Sequence, residues 1–295
     1  MNEYLPTIGA DPEAFIWDTE EEKIVSAEGI LPGTKKKPHP LQHGAVQVDG
    51  IAAEFNVDPA QSSEEFVHNT ESLKKQITKI LHNTSKNLQL NFTSTAYFTP
   101  KSFKQFSKKE LTVGCDPDYI VNKNELSRPF TNLVGYPNNY RFAGGHIHIG
   151  NIFQEYDGTK EQMEKASALA FFFSTKILFV ESLARRSPAQ LLENVTFIKT
   201  PIIKNLKETG FNDTSPLKRK ETIRSDLFRL KPYGVELRSY DNHWVSNPFL
   251  IKAQFQNVFL NACWFLQNNW DYNNTNTILI SSLKNAPDSY LKQEV

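Results

Sequence analysis

The first sixty residues carry short apolar runs, Thr7 to Ile8, Ala14 to Trp17, Ala45 to Val48 and Ile51 to Val57. Gly, Pro and Asp punctuate them, a pattern that predicts strands. From Ser62 the period changes. Ser62 and Glu65 stand at capping-box spacing, and Phe66, Leu73, Ile77, Ile80 and Leu81 recur at near-helical intervals, so a helix is expected to about Lys86. Leu88, Leu90 and Phe92 then alternate within residues 87–98, as in another strand. Residues 100–140 read as connections with few regular elements. Met163, Ala166, Leu169, Ala170, Phe173, Ile177 and Val180 share a helical face and predict a helix over 161–184, ending before Pro188. A polar, basic stretch over 199–231 contains Lys218, Arg219, Lys220, Arg224, Arg229 and Lys231 and reads as a solvated face. A strand is expected over 234–240 and a last helix over 248–268.

Strands arrive in clusters and do not alternate regularly with helices, which gives the α+β class with a mainly antiparallel sheet. No linker-like or low-complexity stretch divides the chain, so residues 1–295 read as a single catalytic domain.

Charge then excludes some partners. Lys plus Arg equals Asp plus Glu at 33 each, so no global field holds nucleic acid or an anionic membrane surface, and neither is expected as a partner. The two cysteines, Cys115 and Cys263, show no CxxC spacing, which argues against a disulfide framework or a cysteine zinc site and suits a reducing cytoplasm. The start of the chain has acidic residues and no basic segment leading into an apolar run, so no signal peptide is expected. The most apolar stretch, Ala166 to Val180, is interrupted by Ser174 and Lys176 and is too short to span a bilayer. A cytoplasmic location is the expectation, and triplets such as Asn91-Phe92-Thr93 carry no weight as glycosylation sites without an export signal.

Four strand-like segments each place unusual residues at i and i+2, the spacing that turns both side chains to one face. Asp11 and Glu13 share a parity in Gly9-Ala10-Asp11-Pro12-Glu13, although a surface turn would look the same. Glu54 and Asn56 point together from the otherwise apolar segment that follows Asp49. A carboxylate there must be paired, metal-bound or solvated, since burying it alone is costly; an edge strand with one wet face is the bland alternative. The third segment, Arg141 to Gly150, holds His146 and His148 on one side of an apolar residue, with glycines at both ends that admit backbone or ligand. A same-facing histidine pair suits a metal or a phosphate, and a hydrogen-bonded core pair is the alternative. The fourth, Tyr233 to Tyr240, aligns Glu236, Arg238 and Tyr240, which a cross-strand ion pair would also explain. Together the four supply carboxylates, histidines and a planar cation, an inventory for hard divalent metals and phosphate oxygens. Serine-nucleophile, Walker A and Rossmann signatures are absent.

These segments in this order, over residues 9–240, resemble the carboxylate-amine ligases of the glutamine synthetase and glutamate-cysteine ligase fold, in particular a branch found in tailed bacteriophages. The resemblance implies a curved, mainly antiparallel sheet with helices on its convex face. Its concave face would hold ATP and a multi-metal site of Mg2+ or Mn2+. By position, Glu13, Glu54, Glu236 and His146 resemble the metal-binding set, and His146 and His148 the histidine strand beside metal and phosphates. Arg238 resembles the phosphate-contacting arginine, which with Glu54 and Glu236 makes the catalytic group. Pro32-Gly33-Thr34-Lys35 looks like the basic loop of the phage branch, with Lys35 toward ATP or substrate. Gly114-Cys115-Asp116-Pro117-Asp118 echoes the opening motif. No segment resembles the N-terminal domain that completes the glutamine synthetase site, so neither its ring assembly nor glutamate as substrate is implied, although an oligomer is compatible.

The implied reaction is attack of a substrate carboxylate on the γ-phosphorus of ATP, followed by displacement of phosphate from the acyl phosphate by an amine. Both substrates would be small molecules or peptides, and Asp11, Asp49 and Asp118 are all candidates for the proton acceptor. If phage-encoded, the protein would act in the host cytoplasm. Three readings compete: a hydrolase or oxygenase with one metal on His146, His148 and a carboxylate; an ATP-dependent small-molecule kinase on the same fold; and a binding protein with a vestigial site.

Overall fold

A computed structural model of the protein describes residues 5–111, 118–120, 128–130, 140–153, 227–238 and 240–267, with 162, 165–166, 168–170 and 172–173. Its axis is β1 (Thr7–Asp18), bordered by β5 (Ala52–Ala60) and β11 (Gly145–Gly150). Beyond β5 the sheet continues through β4 (Gly44–Asp49) to β3 (His39–Leu41). Beyond β11 it continues through β13 (Gly234–Leu237) and β12 (Leu227–Lys231) to β8 (Asp118–Ile120) and β9 (Arg128–Phe130). The end of β1 leaves this path and lies between β2 (Lys23–Val25) and β6 (Leu88–Asn91). All of these pairs are antiparallel, as is a separate small sheet of β7 (Thr95–Tyr97) and β10 (Tyr140–Phe142). The class is therefore α+β with a large, mainly antiparallel sheet.

Alternation along each strand divides the sheet into an oily face and a polar one. Ile8, Ala10, Ala14 and Ile16 of β1, Ala53, Phe55 and Val57 of β5, Ile147 and Ile149 of β11, and Val235 and Leu237 of β13 all enter one core. Two long helices cover that face, α1 (Ser63–Thr84) and, counting the single turns α2 (Pro100–Phe103) and α3 (Lys108–Leu111), α4 (Pro248–Gln267). From α1 come Phe66, Leu73, Ile77 and Leu81, and from α4 Ile251, Phe255, Val258, Ala262 and Phe265. The Phe66 ring packs on Trp244 at 5.8 Å and on Phe255 at 5.4 Å. Burying each such side chain is worth about 1.5–3 kcal/mol.

Local signals set the ends of α1. Ser62 Oγ accepts from Glu65 N at 3.2 Å, as the capping-box spacing predicts, but the Glu65 carboxylate accepts from Gln61 N instead of closing the box on Ser62. Expectations for 62–86 and 248–268 agree with α1 and α4 to within the fraying of a helix end. The described residues between 162 and 173 are helical and bury Ala166, Leu169 and Phe173. The rest of the helix expected over 161–184 lies outside the described residues, as do Lys218, Arg219, Lys220, Arg224 and the motif residues 114–117.

Three expectations are corrected. The two runs around Asp11-Pro12-Glu13 are one twelve-residue strand. Pro12 has no N–H to give, but it stands opposite Gly145, and Glu13 N restores the ladder by donating to Gly144 O at 2.8 Å. The strand expected over 87–98 is split between β6 and β7, because Asn91 turns the chain by accepting from Thr93 N at 2.8 Å. Residues 227–231, placed on a solvated basic face, form the interior strand β12. Among the described residues, no helix is long and apolar enough to cross a membrane.

Candidate functional site

The polar face of the sheet carries a cavity of about 220 Å³ over β4, β5, β1, β11 and β12. Strand register builds it. Glu54 of β5 stands opposite Gln47 on one side and Glu13 on the other; Asp11 stands opposite His146; Glu236 lies between His148 and Arg229. Three successive rows of outward-facing positions, Gln47–Glu54–Glu13, Asp11–His146 and His148–Glu236–Arg229, thus become a continuous polar surface. Beyond it, Phe15, Ile51, Ala52, Ala96, Phe98 and Ala143 form a second, smaller apolar cluster.

Three carboxylates in this surface are nearly out of water, a cost of several kcal/mol that needs compensation. Glu236 is 0% exposed, Glu54 6% and Asp11 9%. Around Glu236 the compensation is cationic. Arg238 contacts Oε1 directly, Arg229 Nη1 lies 3.6 Å from the same oxygen, and Lys231 Nζ lies 2.7 Å from Oε2. Burial and the Asp11 charge push the Glu236 carboxyl up, but Arg238, His146 and His148 outweigh them and hold it at about 2. Asp11 follows the same logic: burial raises it, yet His148 and His146 bring it well below the usual carboxylate range.

Glu54 has the opposite balance. Burial first, then the charges of Asp11 and Glu13, push its carboxyl well above the ordinary value, against the hydrogen bond that Gln47 Nε2 donates to Oε2 at 2.8 Å. Glu13 Oε2 accepts from Gly144 N at 2.8 Å. Lys35, on the loop before β3, reaches within 3.8 Å of Asp49 at the cavity mouth.

The histidines are held differently. His146 is 2% exposed, with Nδ1 3.2 Å from Asp11 Oδ1 and 3.3 Å from Arg238 Nη1. Its ring lies over Gly144, where a Cβ would meet Nε2 at 2.6 Å, so a residue without a side chain is required there. His148 puts Nε2 3.1 Å from Asp11 Oδ1 and Nδ1 2.9 Å from the Tyr233 hydroxyl. Burial lowers its pKa, but Asp11 and then Glu236 more than reverse this.

Asp11, His148 and Glu236 offer ligand atoms that all lie within 4.8 Å of one another. Asp11 Oδ1, His148 Nε2 and Glu236 Oε2 are buried atoms without a hydrogen bond, since the close approaches among them and to Lys231 lack hydrogen-bond alignment. Such a trio of two carboxylate oxygens and one imidazole nitrogen fits a divalent ion.

The seven residues to which the resemblance gives a role come together: Glu13, Lys35, Glu54, His146, His148 and Arg238 line the cavity, and Glu236 lies directly behind Arg229, Lys231 and Arg238. Among the described residues the donor trio differs from the implied metal set of Glu13, Glu54, Glu236 and His146. It shares Glu236, takes Asp11 and His148, and leaves Glu13 and Glu54 facing each other on the next strand pair. Arg229 and Lys231 were read as part of a solvated basic face; their side chains are 11% and 30% exposed and address Glu236. Their alternation with Phe228 and Leu230 is the signal that marks them. Gln47 carries no comparable mark, since its role comes only from pairing with β5. Asp118 is in β8, and Asp49 is at the mouth. The sequence matches no protein-family model and no curated protein.

Proposed function

We propose that the chain is an ATP-dependent carboxylate-amine ligase working with divalent metal, activating a substrate carboxylate as an acyl phosphate and transferring it to an amine. One observation carries the reading: a close trio of two buried carboxylates and an imidazole lies against a cavity that is also lined by Lys and Arg side chains. A divalent ion bound there would neutralise phosphate charge and hold the reacting groups in line. Asp11, His148 and Glu236 would hold that ion, and Glu13 with Glu54 is the neighbouring pair available for another. Arg238, Arg229, Lys231 and Lys35 would receive phosphate oxygens, for which guanidinium groups provide paired donors. The volume of about 220 Å³ is below the roughly 300–1,000 Å³ of a cavity that encloses a whole ligand, so phosphates and ions fit while the nucleoside would extend beyond these walls.

Calorimetric titration with ATP, with and without Mg2+ or Mn2+, tests this. Metal-dependent binding that is lost in Glu236→Gln, followed by ADP release only when a carboxylate and an amine are both present, is the expected result. ADP release with a carboxylate alone and a stable phosphorylated product would indicate a kinase. A second reading rests on the imidazole in the trio, because one nitrogen with two carboxylates also describes a single-metal hydrolase site. Stoichiometric Zn or Fe together with no ATP binding would replace the ligase with that reading.

A further inference from the structure

Tyr233 sits at the tip of the β12–β13 hairpin, between Pro232 and Gly234, 45% exposed. Its backbone is pinned. Gly234 has φ +154°, a Cβ there would fall 2.0 Å from Ile149 O, and Asn151 N donates to Tyr233 O at 3.0 Å. From this fixed point the ring stacks on His148, centroids 5.7 Å apart and planes 24° from parallel, with the hydroxyl 2.9 Å from Nδ1. The other nitrogen, Nε2, is buried, has no hydrogen bond and lies 3.1 Å from Asp11 Oδ1.

We infer that Tyr233 is a positioning residue, which holds the His148 ring with Nε2 turned to the Asp11–Glu236 trio and keeps that orientation whichever ring nitrogen carries the proton. This rests on the metal reading of the site. The argument is the chemistry of the partner. A backbone carbonyl at Nδ1 could only accept, and an amide could only donate, so either would commit the imidazole to one tautomer. A hydroxyl does both. With the proton on Nε2, facing Asp11, the Tyr233 O–H donates to Nδ1. With a cation held at Nε2, the ring proton would be on Nδ1, which would donate to the Tyr233 oxygen. No rotation about the His148 side chain is needed. Groups in this place, bound to the far nitrogen of a ligand histidine, change metal affinity 10–100-fold when removed.

The test compares the full chain with Tyr233→Phe, which keeps the stacked ring, and Tyr233→Leu, which does not. Calorimetric titration with Mn2+ should show about a 10-fold loss of affinity in Tyr233→Phe with little change in thermal unfolding. Long-range 1H–15N spectra of Zn2+-loaded protein labelled with 15N-histidine should show one hydrogen-bonded Nδ1 proton for His148 in the parent, absent in Tyr233→Phe. If the parent and Tyr233→Phe bind Mn2+ alike, and affinity falls only in Tyr233→Leu, ring packing is the whole contribution and the inference is overturned alone. If the parent binds neither Mn2+ nor Zn2+, the metal reading fails and takes this inference with it.

Discussion

Gly144→Ala should damage the cavity while leaving the fold standing. The added Cβ would lie 2.6 Å from His146 Nε2 and 3.0 Å from Cδ2, where ordinary contact begins at 3.4 Å. The ring must therefore retreat by about 0.8 Å, and it is only 2% exposed, wedged between Gly144 and the Asp11–Arg238–Glu236 group. Overpacking of this kind costs about 1–3 kcal/mol. At roughly 2–4 °C per kcal/mol for larger domains, the melting temperature should fall by roughly 2–12 °C, not enough to unfold the chain at 25 °C. The retreat also pushes on Asp11, whose Oδ1 is 3.2 Å from the His146 Nδ1. Calorimetry with Mn2+ on the folded variant should show at least a 10-fold loss of affinity, as for other disturbed metal surroundings. Gly145→Ala is the control with the opposite profile. Its Cβ would meet the Asp241 backbone oxygen at 2.1 Å and Trp244 Nε1 at 2.5 Å, so it should unfold more readily than Gly144→Ala. A Gly144→Ala protein with parental melting and parental Mn2+ binding would refute the wedged-ring geometry.

Three other outcomes are expected. Glu54→Gln should raise the melting temperature at pH 7, because a carboxyl whose folded pKa is raised binds its proton more tightly folded than unfolded, and its contribution is lost as pH rises through the folded value; below the unfolded value of about 4.5 the gain should vanish. Glu236 works the other way: held at about 2 against 4.5, it contributes about 3 kcal/mol above pH 4.5 that disappears as pH falls toward 2, and Arg238→Met should move acid unfolding to higher pH. Phe66→Ala, on the opposite face of the sheet, should cost about 3–5 kcal/mol in denaturant unfolding while Mn2+ affinity of the folded protein stays within 2-fold.

The sequence was most legible where a period and a terminal signal coincide. Ser62 followed by Phe66, Leu73, Ile77 and Leu81 marks α1 almost to the residue, since capping and burial act on the same short segment. The i, i+2 pairs also picked out strands that meet on the polar face of the sheet, because a polar residue flanked by apolar ones in a strand has only one other face to occupy. What stayed hidden depends on pairing. Nothing near Pro12 reveals that its missing N–H falls opposite Gly145, and so β1 looked broken. Nothing near Gln47 reveals the carboxylate across from it. Arg229 and Lys231 were visible as an alternation but were outweighed by the basic composition around them, a case of average charge masking a two-residue period.

The two halves of the polar face solve their charge problem differently, and the difference bears on function. Glu236 is satisfied by protein cations from β12 and from Arg238, so it is ionised in the folded chain without any ligand. Glu54, opposite Glu13, is pushed toward protonation by burial first and then by the Asp11 and Glu13 charges, against the hydrogen bond from Gln47. A cation arriving between Glu13 and Glu54 would therefore release a proton, whereas one arriving at Asp11, His148 and Glu236 must compete with Lys231 for Glu236 Oε2. On the ligase reading, phosphate resolves that competition. An anionic oxygen beside Lys231 and Arg229 gives those cations a new partner and leaves Glu236 for the metal, so metal and nucleotide should each tighten the binding of the other by the same factor. Titrating Mn2+ at several ATP concentrations measures that factor. Lys231→Met should bind Mn2+ more tightly than the parent in the absence of nucleotide and lose most of the mutual enhancement. Unchanged coupling in Lys231→Met would show that the Lys231–Glu236 contact plays no part in it.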